Sequence, residues 1–96
     1  MSFIQLTDKF ENDLNEKFEI LELHYLPYLF GSGTKCYRIK GRNIKVDFDG
    51  RDELLEIYIS PYHEKYPTNK WELIFTDKYE NFHEKDLKII KEKMKR

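Results

Sequence analysis

At 96 residues the chain has room for one domain, with a single core that helices and sheet must share. Hydrophobic residues at 40% and charged residues at 36% exclude a disordered chain, and no apolar run is long enough to cross a bilayer. A net charge of −1 argues against a general nucleic-acid binder, and a single cysteine, Cys36, excludes an intrachain disulfide and a thiolate zinc cluster.

The opening segment, MSFIQLTDKFENDLNEKF, has acids where a secretory leader would need a basic start and an apolar run, so a cytoplasmic protein is expected. Within it Phe3, Leu6, Phe10, Leu14 and Phe18 recur at spacings of three and four, with charged residues between them. That spacing predicts an amphipathic helix from near Phe3 to near Phe18. Residues 19–30 fit either an extension of this helix or the start of a strand, and Pro27 ends either element. Gly31-Ser-Gly33 marks a flexible turn.

Apolar and polar residues alternate in Cys36–Lys40 and Asn43–Phe48, as in strands with one buried face. A two-residue Gly41-Arg42 turn would set Ile39 opposite Ile44 and Tyr37 opposite Val46, leaving Arg38, Lys40 and Lys45 on the other face. The next strand, Glu53–Ile59, buries Leu55, Ile57 and Ile59. A two-residue Asp49-Gly50 turn or a four-residue loop Asp49–Asp52 keeps this parity; the four-residue loop would set Val46 opposite Leu55, Ile44 opposite Ile57 and Lys45 opposite Glu56, with Gly50 supplying a positive φ.

A long loop bounded by prolines follows, holding Tyr62, His63 and Tyr66. Trp71–Phe75 reads as a fourth central strand with Trp71, Leu73 and Phe75 on one face. Asp77 or Asn81 is placed to cap a last helix, in which Leu87, Ile90 and Met94 form the apolar stripe and Lys91, Lys93, Lys95 and Arg96 favour the C-terminal end. The predicted architecture is α+β: an N-terminal helix, an antiparallel meander of three to five strands and a C-terminal helix, with both helices on one sheet face. The uncovered face would carry Arg38, Lys40, Lys45, Glu56 and Tyr58.

The acid-rich stretch VDFDGRDE invites a metal reading, which spacing does not support. Counted from Asp47, the fifth position of a calcium loop falls on Arg51 and the sixth on Asp52, and the flanks are strands. A weak cation site on Asp47, Asp49 and Asp52 is the residual alternative to a wet hairpin tip. His24, His63 and His83 lie in separate segments without metal-ligand spacing. There is no nucleophile elbow and no phosphate-binding glycine loop, so neither catalysis nor a cofactor is expected.

Two binding readings remain. Lys35, Arg38, Lys40, Arg42, Lys45 and Arg51 concentrate on one hairpin, residues 35–51, and could track phosphates in a small nucleic-acid-associated protein. Tyr58, Tyr62, His63, Tyr66 and Trp71 gather around one loop and one strand end, and these residue types are enriched where proteins bind proteins. With Arg38, Lys40 and Lys45 they form the expected protein-binding surface. An exposed edge strand also offers a route to a homodimer.

The stretch YLPYLFGSGTKCYRIKGRNIKVDFDGRDELLEIYISPYHEKYP resembles the small immunity proteins that accompany bacterial polymorphic or contact-dependent toxins. The likeness is one of style, a single Lys-, Ile- and Tyr-rich domain with a short antiparallel meander and helices at its ends, and no residue role transfers with it. What the resemblance implies is a non-catalytic, antitoxin-like protein that occludes a cognate toxin domain.

Overall fold

The computed structural model describes residues 2–61 and 65–95. In chain order these form α1 (Phe3–Leu14), β1 (Glu19–Leu26), β2 (Ser32–Ile39), β3 (Arg42–Asp49), β4 (Leu54–Ile59), β5 (Glu72–Lys78), a 3₁₀ turn (Tyr79–Asn81) and α2 (Glu84–Met94). The strands build one antiparallel sheet in the order β1-β2-β3-β4-β5. The α+β architecture expected from the sequence is present, with five strands. No described helix is long and apolar enough to cross a membrane.

Helix α1 starts with a capping box. The Gln5 N–H donates to Ser2 Oγ, and the Ser2 N–H donates to Gln5 Oε1 at 3.0 Å. Phe3, Leu6, Phe10 and Leu14 are buried as the spacing predicts, but the helix stops at Leu14 and not near Phe18. Asn15 takes the left-handed conformation (φ 52°, ψ 46°) and its N–H donates to the Glu11 carbonyl at 3.1 Å, which ends the helix one turn early. Phe18 instead packs edge-on against Tyr37, with ring centroids 5.4 Å apart. Residues 19–26 resolve the helix-or-strand ambiguity as strand, and the turn lies at residues 27–31, with Gly33 already inside β2.

Both hairpins keep the predicted faces but not the predicted register. The first turn is Lys40-Gly41, not Gly41-Arg42, and both residues have positive φ (52° and 78°), the requirement of a type I′ turn. Tyr37 therefore lies opposite Ile44, and Ile39 opposite Arg42. The β3–β4 loop has four residues but comprises Gly50–Glu53, so Val46 faces Ile57, Ile44 faces Ile59 and Lys45 faces Tyr58, not Glu56. Each shift is by two residues, which leaves every side chain on its original face. Glu53, not Gly50, carries the positive φ of this loop (53°). Gly50 is required for space, because a Cβ there would lie 1.9 Å from the Phe30 carbonyl oxygen.

The fourth predicted strand is β5, at the sheet edge and not its centre. The pairing skips Ile74, since Ile57 lies opposite Phe75 while Tyr58 lies opposite Leu73. This bulge reverses the face. Phe75 packs toward the core and meets Phe82 edge-on at 5.0 Å, whereas Leu73 is exposed on the side of Tyr58 and Trp71. Helix α2 is capped at His83, not at Asp77 or Asn81. The His83 N–H donates to the Asp86 carboxylate at 2.9 Å, and Asp77 instead accepts from the Asn81 amide at 3.0 Å. Leu87, Ile90 and Met94 are buried as predicted; Arg96 lies outside the described residues.

One core forms between the two helices and the inner sheet face, from Phe3, Leu6, Phe10 and Leu14 of α1, Leu87, Ile90 and Met94 of α2, and Tyr37, Ile39, Ile44, Val46, Phe48, Leu55, Ile57 and Ile59 of the sheet. Each fully buried aliphatic or aromatic side chain contributes about 1.5–3 kcal/mol of transfer free energy.

Candidate functional site

The sheet face opposite the helices is polar and carries most of the predicted surface. Strand alternation sends Glu22 and His24 of β1, Thr34, Cys36 and Arg38 of β2, Lys45 and Asp47 of β3, and Glu56 and Tyr58 of β4 to this side. At its centre Lys45 lies beneath two rings, with Nζ 4.5 Å from the Tyr58 centroid and 4.9 Å from that of Trp71. Tyr58 is brought there as the cross-strand partner of Lys45, and Trp71 by the chain entering β5. Such cation–π contacts contribute about 0.5–1 kcal/mol where water still reaches them.

Residues 65–71, which lead into β5, lie over the open face, and the Tyr66 hydroxyl donates to the Glu22 carboxylate on β1, at the far edge of the sheet. The other Glu22 oxygen is 2.6 Å from His24 Nε2. Beneath this segment lies a cavity of about 340 Å³, whose walls include Thr34, Cys36, Lys45, Tyr66, Pro67 and Trp71.

Of the predicted binding residues, Lys45, Tyr58, Tyr66 and Trp71 thus share one surface, and Arg38 lies on the same face of β2. Lys40 does not. It sits in the hairpin turn and pairs with Glu16 at 3.2 Å, away from the rings. Tyr62 and His63 lie outside the described residues.

The basic hairpin does not form a continuous stripe. Lys35 is buried on the helix side with Nζ 2.5 Å from Glu11, and Arg42 is buried with Nε donating to the Ser60 carbonyl at 2.9 Å and Nη1 to the Lys93 carbonyl at 2.7 Å. Arg51 stacks at 5.1 Å over Phe30.

Two titratable groups of this face are shifted, both by burial first. Burial pushes the Cys36 thiol up to about 11, reinforced by the negative charges of Glu22 and Asp47 against the opposing Lys45, so it stays protonated and unreactive near neutral pH. Partial burial, with Glu56 and Asp47 nearby, likewise raises Tyr58. Asp47 and Glu56 face each other across β3 and β4; Thr34 donates to Asp47 at 2.5 Å. Among the described residues no group of three His, Cys, Asp or Glu side chains is placed to hold a metal ion, and Asp49 accepts the Arg51 N–H at 3.0 Å as in an ordinary turn.

One surface escaped the sequence reading. Large apolar side chains are exposed at Ile20, Leu23, Tyr25, Tyr28, Leu29 and Phe30, along edge strand β1 and the turn after it. The signal was present in the dense apolar composition of residues 19–30, but only the strand assignment turns these side chains outward. A further depression, of about 420 Å³, opens between α1 and α2 over Leu6, Phe10, Leu55 and Leu87. No protein-family model, curated protein or solved structure matches the chain.

Proposed function

We propose that the protein is a small, non-catalytic binding module that acts in the cytoplasm by covering a surface of a partner protein, with immunity against a cognate toxin domain as the concrete form. The supporting observation is the Lys45 ammonium beside the rings of Tyr58 and Trp71 on the sheet face that no helix covers. Rings held in place by a neighbouring cation lose little freedom on docking, and Tyr and Trp in such settings carry a large share of binding energy. The segment that lies over the face, tied to β1 through Tyr66, extends this surface from one sheet edge to the other.

The alternative, a nucleic-acid-associated protein using residues 35–51, is less favoured because Lys35, Lys40 and Arg42 are committed to partners within the fold. The test is co-expression with the toxin-like product of a neighbouring gene, scored by growth rescue and by direct titration of the purified pair. Trp71→Ala and Tyr58→Ala should each weaken binding about tenfold or more, while Ile89→Ala on the exposed side of α2 should not. The reading fails if these variants bind as well as the parent. It also fails if the protein captures only oligonucleotides, with an affinity that drops steeply with salt and depends on Arg38, Lys40 and Lys45.

A further inference from the structure

Strand β1 has a neighbour on one side only, and its outer edge is covered by no described element. Natural sheets protect such edges, and β5, the other edge, carries the bulge at Ile74 and the charged residues Glu72, Asp77 and Lys78. β1 has the same devices, Glu19, Glu22 and a bulge, only towards its start. Its own irregularity lies at Leu21, and the run Glu22–Leu26 beyond it pairs regularly with β2, without lysine or proline. Ile20, Leu23 and Tyr25, on the helix side of the strand, are 50%, 47% and 37% exposed.

The sequence of this edge is complementary to itself. In an antiparallel pair of two β1 strands centred on Leu23, Glu22 of each copy lies opposite His24 of the other and Leu23 opposite its own equivalent, and this regular pairing ends on each side at the irregularity at Leu21. Glu22 and His24 share the open face in one chain, only 2.6 Å apart, so the pairing would close an alternating quartet of two acids and two imidazoles. A register centred on His24 loses this, because it sets Glu22 opposite Leu26 and histidine opposite histidine.

We propose that β1 is a dimerisation edge, and that the partner it fits is a second copy of this chain, joined antiparallel about Leu23 into one ten-stranded sheet. The two-fold axis of such a pair stands perpendicular to the sheet. Both helix layers then lie on one side and both aromatic open faces on the other, presenting two copies of the surface together. The inference does not rest on the binding role of that surface, since it uses the strand edge and not the face.

Sedimentation velocity of the full chain from about 5 to about 500 µM should show a concentration-dependent dimer, and Leu23→Lys, which puts a charge at the centre of the pair, should weaken it about tenfold or more. Directly opposite Cα atoms in an antiparallel pair lie about 4.5 or about 5.5 Å apart, within the span of a disulfide. Leu23→Cys should therefore give a covalent dimer under mild oxidation, whereas Tyr25→Cys, offset from its own equivalent by four residues, should not. Buried Cys36 contributes no background. A chain that stays monomeric across the range overturns the proposal, as does a dimer indifferent to Leu23→Lys or one that links through Tyr25→Cys and not Leu23→Cys. Binding of another protein through β1 by a chain that never self-associates overturns it too.

Discussion

Lys35 Nζ lies 2.5 Å from Glu11 Oε2, at a point where a strand residue of the inner sheet face reaches the flank of α1. The Tyr37 hydroxyl donates to the same oxygen at 2.6 Å, so one carboxylate satisfies two donors that helix packing has shut away from water. Removing one member of such a pair leaves the other charge buried and unmatched. Glu11→Ala should cost about 3 kcal/mol in urea unfolding, and the double variant Glu11→Leu/Lys35→Met should recover most of it. Equal losses in the single and double variants would show that the pair is solvated and contributes little.

Arg42 joins three parts of the chain through its guanidinium, donating to the Ser60 carbonyl after β4 and to the Lys93 carbonyl in the last turn of α2. Lysine cannot reproduce this fork. Arg42→Lys is expected to lose about 2 kcal/mol, the scale of a charge-assisted hydrogen bond left unmade. Amide hydrogen exchange should quicken first in the last turn of α2; uniform quickening across the chain would argue against this local role.

Gly50 and Gly31 separate two reasons for glycine. A Cβ at position 50 would collide with the Phe30 backbone, whereas at Gly31 (φ 73°) the nearest atoms, in Ser2, are 3.5 Å away and only the dihedral is restrictive. Gly50→Ala should destabilise by about 2–3 kcal/mol through forced displacement of the 27–31 turn. Gly31→Asn, compatible with a left-handed backbone, should cost under about 1 kcal/mol. Thermal denaturation of the two variants tests the ordering, and a Gly50→Ala protein as stable as the parent refutes the packing argument.

Cys36 and Tyr37 predict the alkaline limb of stability. Both are acids whose neutral form the fold favours: burial is the main cause for each, followed by the charge of Glu22 for Cys36 and by the hydrogen bond to Glu11 for Tyr37. The unfolded thiol ionises from 9.0, the folded one only near 11, so between these values the unfolded chain binds fewer protons and stability falls as pH rises. Tyr37, raised from 10.0, extends the fall upward. Cys36→Ala should flatten the pH dependence of Tm between about 9 and about 11 relative to the parent while leaving the steeper fall above it. An unchanged slope in that window would mean that the thiol is solvated in the folded state.

On the open face, a double-mutant cycle between Lys45→Met and Trp71→Ala should return a coupling of about 0.5–1 kcal/mol, the range of a partly exposed cation–π contact. Zero coupling would mean that the indole is not held by the ammonium, and would weaken the case for a preorganised surface.

The sequence by itself determined which side each central strand buries. Tyr37, Ile39, Ile44, Val46, Leu55, Ile57 and Ile59 face the core because side chains alternate with a period of two, and the register slips at both hairpins were of two residues, which parity cannot detect. Turn choice lay beyond it, since Lys40-Gly41 and Gly41-Arg42 offer the same glycine to two turn types of similar cost. The end of α1 was hidden because Phe18 continues the helical spacing by coincidence, while the left-handed Asn15 stops the helix and the Tyr37 ring receives Phe18.

The open face was legible as a set of residues but not as an arrangement. Lys45 and Tyr58 follow from strand alternation, whereas the placement of Trp71 over Lys45 depends on a segment that lies over the sheet and on the bulge at Ile74 that reverses β5. Only tertiary structure decided these, and only it turned Ile20, Leu23 and Tyr25 toward solvent, because exposure at an edge depends on what the rest of the chain leaves uncovered. Alternation is a local property of the backbone. Which strand ends the sheet is set by the competition of all strands for neighbours, and no single stretch of sequence records its outcome.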